Sequence, residues 1–140
     1  MKILSKWISI SARNGRIFYN RKLARLGLKS GEFLFVLCIN DHPGFTQDQL
    51  AEELSINKST VARAVAELID KGFVYRESNT KDKRIYHLYP TAKATQAYPQ
   101  IIGTLEEWNT FLVKGLSPQE IQMVDHLLSK ISENAQKYAH

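Results

Sequence analysis

The sequence has a single cysteine, Cys38, which excludes an intramolecular disulfide framework and any zinc finger built on cysteines. Its longest apolar run, Phe33-Leu34-Phe35-Val36-Leu37-Cys38-Ile39, falls far short of the roughly 20 residues that span a bilayer. The opening stretch mixes charge with apolar residues, and Lys6 and Arg13 interrupt any secretory-signal core. A reducing, cytoplasmic home is expected. Gly/Ser linkers, low-complexity tracts and internal repeats are absent from the 140 residues, which predicts one compact unit. HExxH and glycine-rich phosphate loops are missing too, and His42, His87, His126 and His140 are scattered. Neither an enzyme, a cofactor nor a metal site is expected.

The charge is unevenly spread. Residues 1–42 carry eight Lys/Arg against two acids, residues 43–90 seven of each, and residues 91–140 four against five. A basic N-terminal third suits nucleic acid and equally suits a solvated helix face.

Residue spacing predicts six helices and a hairpin. A first helix runs from about Ile3 to Leu26 and ends at Gly27, a natural C-cap. Ser30-Gly31-Glu32 opens a second, apolar through Ile39 and stopped by Asn40-Asp41-His42-Pro43-Gly44. Thr46-Gln47-Asp48-Gln49 is a capping box for a short third helix with Leu50, Ala51 and Leu54 inward. Ser55-Ile56 makes a turn, and Asn57 caps a fourth helix that ends at Lys71-Gly72. Phe73-Val74-Tyr75 and Ile85-Tyr86-His87-Leu88-Tyr89 are strand-like, joined by the polar, turn-forming Asn79-Thr80-Lys81-Asp82-Lys83. Helical spacing returns with Tyr98, Ile101, Leu105, Trp108 and Leu112, although Pro99 and Gly103 predict a kink or a late start. Ser117-Pro118-Gln119-Glu120 then caps a last helix with Ile121, Val124, Leu128, Ile131, Ala135 and Tyr138 along one seam. Seams this long close either on the chain itself or, as so small a unit favours, on a partner.

A short helix, a tight turn, an amphipathic helix and a basic hairpin in that order make a winged helix-turn-helix. The fold expected is mainly α with a small β-hairpin wing. In the fourth helix Val61, Val65, Leu68 and Ile69 form the core side. Ser59, Ala62, Arg63 and Ala66 lie opposite, with Thr60 on the flank. That face suits a major groove of double-stranded DNA. The alanines permit close approach and contact with thymine methyls, Arg63 reaches guanine O6/N7 or a phosphate, and Ser59 and Thr60 are short donors. The helix N-terminal amides at Asn57 and Lys58 suit a backbone phosphate, and Thr46 or Gln47 suits another at the third helix. Asp48, Glu52 and Glu53 argue against the third helix lying flat along phosphates. Lys81, Lys83 and Arg84 put cations at the wing tip, where the minor groove attracts them. Asp82 makes sense there if it orients a neighbouring arginine.

These residues resemble the MarR family of bacterial transcription regulators. The matching stretch is Thr46-Gln47…Leu50-Ala51-Glu52-Glu53-Leu54, Lys58-Ser59-Thr60-Val61-Ala62-Arg63, Leu68…Lys71-Gly72-Phe73-Val74…Arg76, and Asp82-Lys83-Arg84…Leu88…Thr91. Leu28…Gly31…Phe33…Leu37 resembles the family's entry to the second helix, and the likeness covers nearly the whole chain. Asn79 stands where an acid often opens the wing, Lys83 where a second arginine is frequent, and Ala94 replaces a usual glycine. The resemblance implies that Arg84 is a minor-groove arginine oriented by Asp82. It also implies a ligand-responsive repressor that binds a pseudo-palindromic operator as a homodimer. Residues 30–90 would form the DNA-binding region, and residues 1–29 and 91–140 the dimerisation helices.

Other readings are weaker. Peroxide-sensing relatives carry their cysteine in the first helix, whereas Cys38 lies in the most apolar run and reads as a buried thiol. Asp41, His42, Glu106 and Glu107 hint at a zinc-sensing relative, but Trp108 and Leu112 follow where further ligands would be needed. A winged helix serving as a protein-interaction module without DNA binding remains open, favoured by the balanced charge of residues 43–90. An aromatic or phenolic acid effector is implied by the family. Trp7, Phe18, Tyr19 and Arg13 or Arg16 either serve it or belong to dimer core and surface.

Overall fold

The computed structural model describes residues 3–29 and 31–140, so Ser30 as an opener of the second helix lies outside the described residues. Helix α1 (Leu4–Leu23) tightens into a 3₁₀ turn at Ala24–Leu26, three residues earlier than the α-helical spacing predicts. Gly27 closes that turn at φ 79°, a left-handed conformation natural to glycine, and donates its N–H to the Ala24 carbonyl. Helix α2 (Glu32–Asp41) buries Phe33, Phe35, Val36, Cys38 and Ile39 around its circumference, as befits a central helix.

Helix α3 (Gln47–Leu54) starts from the expected capping box. The Gln49 amide donates to Thr46 Oγ1, and the Gln49 side chain accepts from the Thr46 N–H. Ser55, at φ 54°, turns the chain into helix α4 (Lys58–Asp70), capped by Asn57 through the Thr60 N–H. Strands β1 (Val74–Ser78) and β2 (Tyr86–Pro90) then pair antiparallel, from Val74 opposite Pro90 to Ser78 opposite Tyr86. Phe73 and Ile85, expected within the strands, lie just outside them. The base of the hairpin is tied to the loop after α2: Gly44 N–H donates to the Leu88 carbonyl and Leu88 N–H to that of Phe45.

Helix α5 (Ala92–Leu112) corrects the expected late start, because it begins at once and carries Pro99 and Gly103 within it. The reason is tertiary. Thr91 accepts the Ala94 N–H, and Ala94 and Ala97 before the proline and Ile101 after it are buried. Their packing outweighs a hydrogen-bond loss and clash that cost about 3 kcal/mol in a helix interior. Helix α6 (Pro118–Ala139) begins with the second capping box, Ser117 and Glu120, with Pro118 in the first turn.

The chain falls into two compact units, residues 1–106 and 107–140, divided inside α5 rather than at a linker. The first holds the core, in which Val36, Ile39, Leu50, Val61, Leu68, Leu88 and Ile101 are wholly shielded from solvent. In the second, α6 has no buried residue, and Ile121, Val124, Leu127 and Leu128 are exposed.

Candidate nucleic-acid interface

The two faces of α4 part as its spacing predicts. Val61, Val65 and Leu68 are buried with Ile69 half-buried beside them, while Ser59, Ala62, Arg63 and Ala66 face solvent and Thr60 sits at the margin. Asn57 Oδ1 accepts both the Thr60 amide (2.8 Å) and the Ser59 hydroxyl (2.9 Å), which fixes the first turn. Arg63 reaches back to the Thr60 hydroxyl at 3.4 Å, a long contact that leaves its guanidinium exposed. The Lys58 ammonium lies 3.4 Å from the Asp48 carboxylate, with both side chains exposed. This pair gives the acid on α3 a local partner and holds Lys58 beside the third helix.

The wing tip is built by Asn79 and Asp82. Asn79 Oδ1 accepts the amides of Lys81 (2.8 Å) and Asp82 (3.0 Å), and the Asp82 carbonyl accepts the Ile85 N–H. Asp82 then grips Arg84 three times, taking its backbone N–H at 3.0 Å, its Nε at 3.1 Å and its Nη2 at 3.1 Å. A two-point grip fixes the plane of a guanidinium. The Arg84 side chain, 91% exposed, is held out from the protein. Its guanidinium and backbone N–H hold the Asp82 carboxyl below the usual carboxylate range. Lys81 and Lys83 flank it, exposed. An open groove of about 290 Å³ brings Arg84 and Tyr86 beside Thr46, Gln47 and Asp48 at the start of α3.

Sequence reasoning put Asn79 at the opening of the wing and Arg76 in the first strand's matching stretch, but gave neither side chain a role. Asn79 three residues before Asp82 is an Asx-turn pattern and was legible in principle. Arg76 lies over the Tyr86 ring, 4.2 Å from its centroid, a cross-strand contact that only the register shows.

Two other candidate chemistries find local explanations. Cys38 is buried, and burial first, with the charges of Glu53 and Asp41, pushes its thiol up to about 11. The Asp41 carboxylate accepts the Tyr98 hydroxyl at 2.7 Å, and the His42 ring stacks on Phe45 with centroids 4.4 Å apart. No three His, Cys, Asp or Glu among the described residues are placed to hold a metal ion.

A cavity of about 390 Å³ opens between α1, α2 and the start of α4, walled by Arg16, Tyr19, Phe33, Phe35, Ile56 and Thr60 among others. Tyr19 packs on Phe33 with ring centroids 4.7 Å apart, and burial raises its phenol above the ordinary value. Of the first-helix residues considered for an effector, Arg16 and Tyr19 are in its wall. Phe18 is buried in the protein, Trp7 is exposed, and neither they nor Arg13 line the cavity.

An exposed face on α4, cradled by α3 and flanked by a cation-tipped hairpin, defines a winged helix-turn-helix protein. A model of the MarR family matches residues 28–86. The HTH-type transcriptional regulator YybA of Bacillus subtilis (strain 168) is 27% identical over 137 residues, 98% of this chain and 91% of that protein. The crystal structure of the transcriptional regulator SlyA matches with a TM-score of 0.94 at 28% identity, over 97% of this chain and 96% of that one. A MarR family transcriptional regulator from Listeria monocytogenes, crystallised in complex with 26mer DNA, matches with a TM-score of 0.91 at 31% identity, over 98% and 91%. The chain belongs to the MarR family of transcription regulators. These relatives are regulators rather than enzymes, and no helix among the described residues is long and apolar enough to cross a membrane.

Proposed function

We propose that the protein binds a pseudo-palindromic operator as a homodimer and represses transcription until a small acid releases it. The observation that carries DNA binding is the pairing of an exposed Ala62–Arg63–Ala66 face with Arg84, aimed outward by Asp82. On this reading Arg63 reads a base edge, and Thr46, Gln47, Asn57, Lys58, Ser59 and Thr60 meet the backbone or neighbouring bases. Lys81, Lys83 and Arg84 serve the adjacent minor groove. The Listeria relative complexed with 26mer DNA supports it. On this reading the protein acts in the cytoplasm, where the chromosome is.

Dimerisation is assigned to residues 1–29 and 91–140. Its support is apolar surface left uncovered in each unit: Leu4, Trp7 and Ile17 on α1, and Phe111, Leu127 and Leu128 on α5 and α6. Two-fold symmetry then sets the half-sites about one helical turn apart. The effector is assigned to the cavity at Arg16 and Tyr19, where a cation beside aromatic walls suits an aromatic or phenolic acid. Thr60 in the same wall makes occupancy felt at the recognition helix, and a few kcal/mol of preference would shift the population.

The test is enrichment of duplexes from a random library, with sedimentation of the free protein. An inverted repeat bound with strong salt dependence is expected, from a dimer. A stable monomer at micromolar concentration defeats the assembly. Failure to bind any duplex favours the protein-interaction module instead.

A further inference from the structure

The hairpin is tied to the loop after α2 by a short relay of side chains. His87, the second residue of β2, has Nδ1 at 2.8 Å from the Gly44 carbonyl oxygen and Nε2 at 2.9 Å from Asn79 Nδ2. The Asn79 amide has one workable orientation. Its Oδ1 accepts the backbone N–H groups of Lys81 and Asp82, so its NH₂ must face the imidazole. A carbonyl only accepts, so Nδ1 carries a proton for Gly44. An amide NH₂ only donates, so Nε2 must offer a lone pair. The network therefore admits the neutral Nδ1–H tautomer. An imidazolium would set its Nε2–H against the Asn79 NH₂, donor against donor.

We propose that His87 and Asn79 are positioning residues for DNA binding: a neutral imidazole, held between Gly44 and Asn79, sets the wing tip that aims Arg84. The proposal rests on the DNA-binding reading above. The relay runs from the loop after α2 through His87 and Asn79 to the amides of Lys81 and Asp82, and from Asp82 to Arg84. An isolated two-stranded hairpin is marginal in water, so an exposed tip needs such a reference to the body of the protein. Gly44 is itself fixed, with φ 95° and its N–H on the Leu88 carbonyl.

The charged groups on the elements around His87 are Glu32 and Asp41 on α2, Asp48, Glu52 and Glu53 on α3, and Arg76 and Glu77 on β1; Glu32 pairs with Lys71, and Asp41 accepts the Tyr98 hydroxyl. Glu77 on β1 is its register partner, but it is exposed and its field is screened. Asp48 in the first turn of α3 pairs with Lys58, Asp82 and Arg84 hold each other at the tip, and His42 in the loop stacks on Phe45. Nε2 is instead matched to Asn79. Protonation therefore breaks a link. Either Asn79 turns and releases the tip amides, or His87 lets Asn79 go.

The test measures affinity of the full chain for duplexes enriched from a random library at pH 7.5. Salt is held constant from pH 8 to pH 5.5, with helix content followed by circular dichroism. Wild type should weaken on acidification by up to about tenfold per pH unit for each proton taken up. His87→Gln, whose amide can donate to Gly44 and accept from Asn79, should keep the neutral-pH affinity and lose that acid limb. Asn79→Asp keeps an acceptor for the tip amides and offers one to Nε2–H⁺, so its acid limb should move to lower pH. Wild type and His87→Gln profiles that superimpose overturn the proposal, as does an Asn79→Asp profile matching wild type. In both cases DNA binding itself stands. A wild type that enriches no duplex at any pH overturns the DNA-binding reading, and this proposal falls with it.

Discussion

Substituting Lys71 by Met tests how the end of the recognition helix is held. The Lys71 ammonium reaches back across the sequence to donate to the Gly27 carbonyl at 2.9 Å and to Glu32 Oε1 at 2.6 Å. It thereby joins the C-terminus of α4 to the end of α1 and the start of α2. The Glu32 side chain is 5% exposed, its Oε1 also accepts the Lys29 N–H, and its buried Oε2 has no hydrogen-bond partner. Removing one partner of a buried pair costs about 3–5 kcal/mol, because the remaining charge is stranded. Lys71 retains 27% of its side-chain exposure, so water partly screens the pair and the lower figure of about 2–3 kcal/mol applies. Urea unfolding at fixed protein concentration measures the loss, which corresponds to a fall in Tm of very roughly 5–10 °C for a chain of this size. Lys71→Met with Glu32→Leu should recover more than half of it, since no charge is then left buried. A Lys71→Met loss below about 0.5 kcal/mol, the scale of an exposed pair, refutes the reasoning. So does a double variant whose loss is the sum of the singles, the mark of uncoupled sites.

Four other outcomes are expected. Arg63→Ala should weaken operator binding by about 1–3 kcal/mol and relax base preference, whereas Arg84→Ala should weaken most the sites with A·T-rich flanks; competition binding on an enriched duplex and its variants separates them. The Asp82 carboxyl is held low by Arg84, so its pairing contributes above the unfolded carboxylate value and is lost as pH falls through the folded one; an NMR titration should find Asp82 protonating below the usual carboxylate range. Cys38, pushed up to about 11, stays a thiol at pH 8, so alkylation should be slow in the native protein and fast in urea; rapid native labelling would contradict its burial. Leu128→Glu puts a charge on an exposed apolar seam of α6, and sedimentation should show the proposed dimer dissociating or the protein unfolding.

What could be read from the sequence was local. Thr46 with Gln49, Asn57 with Thr60, and Ser117 with Glu120 are partners three residues apart, so residue type and spacing suffice to place each helix start. The same holds for Asp82 and Arg84, whose pairing needs only a turn between neighbours. The features that escaped depend on residues far apart in the chain. Helix α5 runs through Pro99 because Ala94, Ala97 and Ile101 are buried against the rest of its unit, which local propensity cannot register. Lys71 finds Gly27 and Glu32, and His87 finds Gly44, across 44, 39 and 43 residues respectively. The cavity lies between these cases. Ala12, Arg16 and Tyr19 are spaced four and three apart, one face of α1, and that face excludes Phe18 and Arg13. The periodicity of the helix therefore separates its aromatic and basic residues into those on the cavity side and those off it. Contacts between distant segments set how the reading elements are held. The groups proposed to read DNA sit within two short stretches, and that is why the family was legible before those mechanical supports were.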